Sequence, residues 1–241
     1  MDLLTEWNII NPWSVFSLII LAFWFVIYLT KKRIRREMLV MSIITTPFGL
    51  SEPVFIPAYW NPPSMFNLAA NYHVDIEALI FCFAIGGIGS VVYEYFFNVR
   101  HVHLDRNPEK WYRFGYWFHA FAIASPVFVF IPFYLLTDLN PIYSASAALL
   151  AGGIFSMISR PDLSRKIIYS GVMFMLLYFL FFLAFDVAYP GAVFRIWNLP
   201  AISGILIFNV PLEELMFAFT FGMMWSSAYE QAENYRLKRV K

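Results

Sequence analysis

Seven stretches of this chain are long and apolar enough to cross a bilayer, and that pattern commits it to the membrane before any residue is given a role. At about 20 residues per crossing, the runs cover 12–30, 38–57, 74–97, 114–136, 141–159, 166–186 and 203–229 of the 241 residues. Composition agrees: 60% of the residues are hydrophobic, 20% aromatic and only 14% charged, against roughly 25% charged in a soluble domain. A disulfide scaffold, a basic nucleic-acid binder and a disordered chain are excluded, because each needs cysteine, Lys/Arg or polarity that is lacking. The single cysteine, Cys82, rules out an intrachain disulfide and leaves the redox compartment open. Pro47, Gly49 and Pro53 mark the second run as kinked or broken.

The formal net charge of +1 hides a strong asymmetry. Connection one carries Lys31, Lys32, Arg33, Arg35 and Arg36; connection three carries Arg100, Arg106, Lys110 and Arg113. Connection five holds Arg160, Arg165 and Lys166, and the tail holds Arg236, Lys238, Arg239 and Lys241. Sixteen of the seventeen Lys and Arg residues therefore fall on one side of a seven-span chain, with Arg195 alone on the other. Short cytoplasmic loops collect such residues, so the expected topology is multi-pass in the cytoplasmic membrane, N-terminus outside and C-terminus inside. The first run follows Asp2 and Glu6 and precedes its basic cluster, which marks a retained anchor and not a cleaved signal peptide.

The chain also repeats itself. Glu77, Phe81, Phe83, Gly86, Ser90, Tyr93 and Glu94 recur 136 positions later as Glu213, Phe217, Phe219, Gly222, Ser226, Tyr229 and Glu230, and Trp60-Asn61 is matched by Trp197-Asn198. A three-helix unit duplicated in parallel needs one helix between the copies to bring the chain back to its starting side. The expected fold is an all-α integral membrane protein with seven transmembrane helices as a 3+1+3 parallel tandem repeat: repeat one over 1–113, a linking helix over 114–137, and repeat two with its basic tail over 138–241.

Acids inside hydrocarbon cost roughly 2.5–3.5 kcal/mol each on insertion scales and are functional candidates by default. Those within the runs are Glu52, Asp75, Glu77, Asp186, Glu213 and Glu214. Glu213 lies ten residues into the seventh run, about 15 Å of helical rise, and the repeat gives Glu77 the same depth. His73 and Asn209 stand at i−4 from these acids, on the same helical face. The alternative for each acid is a structural hydrogen bond within the bundle; Glu94 and Glu230, at the cytoplasmic helix ends, read first as caps or ion-pair partners. His101-x-His103 has metal-binding spacing but no evident carboxylate companions, so no metal is expected there. Every Lys falls in a cytoplasmic connection or the tail, which excludes a retinal Schiff base, and no Gly-rich phosphate or dinucleotide motif is present.

The segment Val210-Pro211-Leu212-Glu213-Glu214-Leu215-Met216-Phe217-Ala218-Phe219 resembles the Pro-x-Glu-Glu/Asp-x-x-Phe-Phe signature of the membrane-type lycopene cyclases. Asp75-Ile76-Glu77-Ala78-Leu79-Ile80-Phe81 looks like its first-half counterpart, with Ala78 in place of the second acid, and Ala218 is a further departure. The resemblance implies a redox-neutral, cofactor-free ring closure. A carboxylic acid protonates the terminal double bond of an acyclic carotenoid, the neighbouring double bond attacks the cation, and a base removes a proton to leave a β-ionone ring. The residues suit that chemistry, since carboxyls among apolar side chains stay protonated readily and aromatic faces stabilise a cation without capturing it.

The candidate catalytic residues are Glu213, Glu214 and Glu77. Substrate contacts are expected from His73, Asn209, Phe81, Phe217, Trp60 and Trp197, and Glu213 is the acid expected to face the cavity, with Glu214 hydrogen-bonded to a neighbouring helix or relaying the proton. The expected partners are a lipophilic polyene and membrane lipid, with no nucleic acid and no cofactor; a homo-oligomer or an association with other carotenoid enzymes is the candidate assembly. Two other readings fit parts of the pattern: a small-solute transporter built on parallel three-helix repeats, and a non-catalytic polyprenoid-binding protein.

Overall fold

The computed structural model describes residues 11–104 and 115–239. The expectations resting on Asp2, Glu6, Arg106, Lys110, Arg113, Lys241 and the boundary at 113/114 fall outside those residues.

The chain is mostly helical: α1 (Pro12–Thr30), α2 (Arg35–Thr45), α3 (Leu68–Tyr72), α4 (Ile76–Phe97), α5 (Gly115–Leu136), α6 (Pro141–Ser159), α7 (Ser164–Ala188), α8 (Ala192–Ile196) and α9 (Leu212–Ala232). Among the described residues, five helices are long and apolar enough to cross a membrane: α1, α4, α5 from Trp117, α6, and α7 with its lead-in from Pro161. Leu29, Phe128, Leu136, Leu180 and Val187 are exposed on their outer faces. So much outward apolar surface belongs in lipid.

Three runs differ from the sequence reading. The second divides into α2 and a 3-10 stretch, Thr46–Val54, because Pro47 and Pro53 interrupt the α-helical hydrogen-bond ladder. The third begins only at Ile76, where Asp75 caps the helix by accepting from the Glu77 backbone N–H at 2.9 Å. The seventh begins at Leu212, since Leu206–Ile207 and Val210–Pro211 form a tight hairpin, β2 and β3, around Phe208 and Asn209 in left-handed backbone. Glu213 is therefore in the first turn of its helix, not ten residues deep. The all-α expectation also needs amending, because Val99–His103 (β1) and Tyr235–Arg239 (β4) pair antiparallel at the end of α4 and α9. His101 and His103 lie in that strand pair, not in a solvated loop.

The two halves of the chain use the same local devices. Asn11 and Asn140 each cap a helix that opens on proline, accepting from Ser14 N and Ile142 N. Each helix ends in a one-turn 3-10 link, with Lys31 at φ −121°, ψ 79° and Arg160 at φ −126°, ψ 75°, followed by α2 or α7. In the first half α4 packs against α1 and α2, and in the second α9 packs against α6 and α7. Gly86 and Gly222 both allow a close approach of backbone: a methyl on Gly86 would lie 3.0 Å from the Met41 carbonyl oxygen, and one on Gly222 2.8 Å from that of Ser170. The halves meet where α4 touches α9 and α7, and where Trp60 and Trp197 bridge through reciprocal backbone bonds, Asn61 N to Ile196 O at 2.8 Å and Asn198 N to Tyr59 O at 2.9 Å. Helix α5 lies outside this arrangement, packed on α6.

Candidate functional site

Glu77 and Glu213 are each the second residue of their helix, and each is held the same way. Glu77 accepts from the Ser14 hydroxyl at 2.8 Å, the Met65 backbone N–H at 2.8 Å and the Asn11 amide at 2.9 Å. Glu213 accepts from the Tyr143 hydroxyl at 2.6 Å and the Ser203 backbone N–H at 2.9 Å. In both, a hydroxyl from the first turn of a long helix, α1 for Glu77 and α6 for Glu213, and one loop N–H converge on a single oxygen. These acids staple the outer loops to the helix starts.

Glu214 differs. It is buried, and three donors close on its carboxylate: the Tyr59 hydroxyl at 2.5 Å and Trp197 Nε1 at 2.8 Å on one oxygen, and the Tyr178 hydroxyl at 3.0 Å on the other. All three partners can donate to it, an arrangement that favours its carboxylate form. The two acids thus point to different neighbours. Glu213 turns to Tyr143 and the Ser203 loop, while Glu214 is tied to the aromatic centre.

That centre is a narrow apolar cleft lined by Trp13, Phe16, Trp60, Phe182, Phe185 and Trp197. Trp13 meets Trp60 edge-on at 4.6 Å, Trp60 lies 5.5 Å from Trp197, and Phe182 lies 5.5 Å from Trp197 and 5.3 Å from Phe16. Each flanking tryptophan leads to a carboxylate. Trp197 donates to Glu214, and Trp13 Nε1 donates to Asp75 at 3.0 Å. Behind Trp13, Glu52 and Glu77 both lie within hydrogen-bonding reach of Asp75. A cluster of buried carboxyl groups thus lies behind Trp13, and the buried Glu214 lies behind Trp197.

The other expected residues divide. Trp60 and Trp197 line the cleft, and Phe81 packs on Trp13 at 5.0 Å and faces Tyr178 at 6.2 Å. Phe217 stacks on Phe221 at 5.8 Å, away from the lining. His73 is exposed and, at φ 56°, lies off the helix that carries Glu77. Asn209 is exposed in the β2–β3 turn and donates to Asp186 at 2.9 Å. Neither stands on its acid's helical face, because α4 and α9 start after them.

The sequence reading missed Asn11, Ser14, Tyr143 and Ser203 around the stapling acids, and Tyr59 and Tyr178 around Glu214. The repeated Asn-Pro pairs, Asn11-Pro12 and Asn140-Pro141, could have revealed the first group. Nothing in the sequence singled out Tyr178.

Residues 140–232 match the family described as lycopene cyclase. No curated protein and no solved structure matches the chain.

Proposed function

We propose that the chain is a carotenoid cyclase of the membrane, a reading supported by the lycopene cyclase match over residues 140–232, and that ring closure takes place in the aromatic cleft between Trp13 and Trp197. A proton held among Glu52, Asp75 and Glu77 is added to the terminal double bond of the acyclic polyene. The neighbouring double bond then closes the six-membered ring and moves the positive charge into it. The aromatic faces stabilise that charge, and the Glu214 carboxylate opposite balances it and takes the departing proton, leaving a β-type ring. Atoms and charge balance without an oxidant or a cofactor. Glu213 and Glu77 hold the outer loops over the cleft, and Glu77 also belongs to the proton-holding cluster. The observation that carries the reading is a three-donor carboxylate behind one tryptophan of the aromatic cleft and an acid cluster behind another, in a chain whose residues 140–232 match the lycopene cyclase family.

The same reading takes the chain as seven crossings in a 3+1+3 plan. The broken α2 segment and α9 join the five apolar helices, and residues 1–113 and 138–241 are the copies on either side of the linking helix. The matched 3-10 links, the two glycine contacts and the reciprocal Trp60–Trp197 bridge support it. The basic residues of the α1–α2 and α6–α7 links sit at the helix ends opposite that bridge, which supports a cytoplasmic C-terminus. A lipophilic polyene reaches an apolar cleft from the bilayer more readily than a polar solute would, which disfavours the transporter.

Pigment analysis tests the activity. A lycopene-accumulating bacterium carrying this chain should form cyclic carotenoid, and one carrying Glu214→Gln at equal membrane level should not. Unchanged lycopene with the parent chain present in the membrane refutes the proposal.

A further inference from the structure

At the other end of the bundle, where β1 and β4 close the two halves, a second set of polar groups is shut away from water. Glu37 of α2, Glu94 of α4, Glu230 of α9 and Lys166 of α7 are all buried, and His101 of β1 reaches in from the rim. The Lys166 ammonium bridges Glu230 at 2.5 Å and Glu94 at 2.6 Å, with Glu37 farther off at 3.7 Å. His101 Nε2 lies 2.8 Å from Glu230 and 3.5 Å from Glu37. The sequence reading withheld a metal from His101 for want of carboxylate companions. The fold brings it three.

Two observations mark this cluster as incomplete. Neither oxygen of the 2%-exposed Glu37 has a hydrogen-bond partner, and the same holds for Glu94 Oε2 and Glu230 Oε2. Buried carboxylate oxygens are ordinarily hydrogen-bonded, and Lys166 and His101 reach those of Glu37 only at 3.7 and 3.5 Å. Among the described residues, three carboxyl groups share one ammonium and one imidazole. The nearby guanidinium groups of Arg36 and Arg160 face Glu233 and Asp162.

We infer that Glu37, Glu94, Glu230 and His101 bind one divalent first-row metal cation, with Lys166 as the second cation of the site. An ammonium and a divalent ion carry three positive charges against three carboxylates, with the imidazole neutral as a ligand. One ligand atom from each of the four residues already lies within 4.8 Å of the others, a spread that metal–ligand distances of about 2.0–2.2 Å span after small side-chain movements. Three oxygens and one imidazole nitrogen suit Mn²⁺ or Zn²⁺ and do not suit a thiolate-seeking ion. Glu37, Glu94 and His101 come from the first half and Glu230 from the second, so the ion would tie the halves together at the end opposite the aromatic cleft.

The test uses the full chain, purified in detergent, freed of any affinity tag and treated with chelator. Titration with Mn²⁺, followed by the loss of the free-ion signal in electron paramagnetic resonance, should show one tight equivalent per chain, displaced by Zn²⁺, and the thermal midpoint should rise on loading. Glu37→Gln and His101→Ala should each weaken binding by at least about tenfold, the cost of losing even an outer-shell partner, and remove the rise in midpoint. If Glu37→Gln does not accumulate, His101→Ala carries the comparison, because its ring is partly exposed and its removal leaves the helix packing intact. Mn²⁺ uptake by the parent no greater than that of His101→Ala, or a midpoint indifferent to the metal, overturns the inference. Neither readout involves ring closure, so the outcome is independent of the cyclase reading.

Discussion

Replacing Tyr59 by Phe removes one hydroxyl and little else, and its effect should depend on the charge it serves. Tyr59 and Glu214 are both buried, and the hydroxyl lies 2.5 Å from the carboxylate. A hydrogen bond to a charged group contributes about 1.5–3 kcal/mol, a neutral one about 0.5–1.5 kcal/mol. Tyr59→Phe should thus cost about 1.5–3 kcal/mol with Glu214 in place, but only about 0.5–1.5 kcal/mol when Glu214 is already Gln. A double-mutant cycle isolates the difference, a coupling of about 1 kcal/mol or more, read as denaturant unfolding in mixed micelles. The rate of ring formation gives the parallel measurement: Glu214→Gln should slow it by about 10²–10⁴-fold, the usual contribution of a positioned proton-transfer group. Tyr59→Phe, which only loosens the carboxylate, should slow it by about tenfold for each 1.4 kcal/mol of lost stabilisation. If Tyr59→Phe costs the same in both backgrounds, Glu214 is not the charged acceptor that its three donors imply, and the division of acid and base across the cleft fails.

The remaining expectations follow from the same geometry. Glu213→Gln should cost about 1–3 kcal/mol, because both donors converge on one oxygen and exchange a charged acceptor for a neutral one; an unchanged unfolding midpoint in the same assay would reject the stapling role. Gly222→Val should destabilise by about 1–3 kcal/mol or prevent accumulation, since even a methyl there meets the Ser170 carbonyl oxygen at 2.8 Å; normal yield and unfolding midpoint would show that α7 and α9 can separate cheaply. In a Cys82→Ser background, a cysteine at Lys32 should react with an impermeant maleimide only from the cytoplasmic face and one at Ala201 only from the opposite face. Labelling of both from the same side would reject the seven-crossing topology.

The residues alone settled the environment and much of the plan. Runs of about 20 apolar residues have no way to satisfy their backbone in lipid except as helices, and α1, α5 and α6 begin and end within a residue or two of where the runs do. The correspondence of Glu77 with Glu213, and of Trp60 with Trp197, was equally legible, because it is a matter of identity and spacing. The resemblance around Pro211 and Glu213 lay in the same segment that matches the lycopene cyclase family.

What the sequence could not decide was where α9 begins, and that single boundary governs the site. Hydropathy does not distinguish the β2–β3 hairpin from helix, so Glu213 was placed too deep and Asn209 on its face. Two consecutive side chains point about 100° apart on a helix, and which of them meets the cleft depends on the rotation of α9 against Tyr59, Tyr178 and Trp197, residues separated from Glu214 by up to 155 positions. The gathering of Glu37, Glu94 and Glu230 around His101 has the same origin. Partners that distant in the chain leave no local signal, and only the packing of one half against the other brings them within bonding distance.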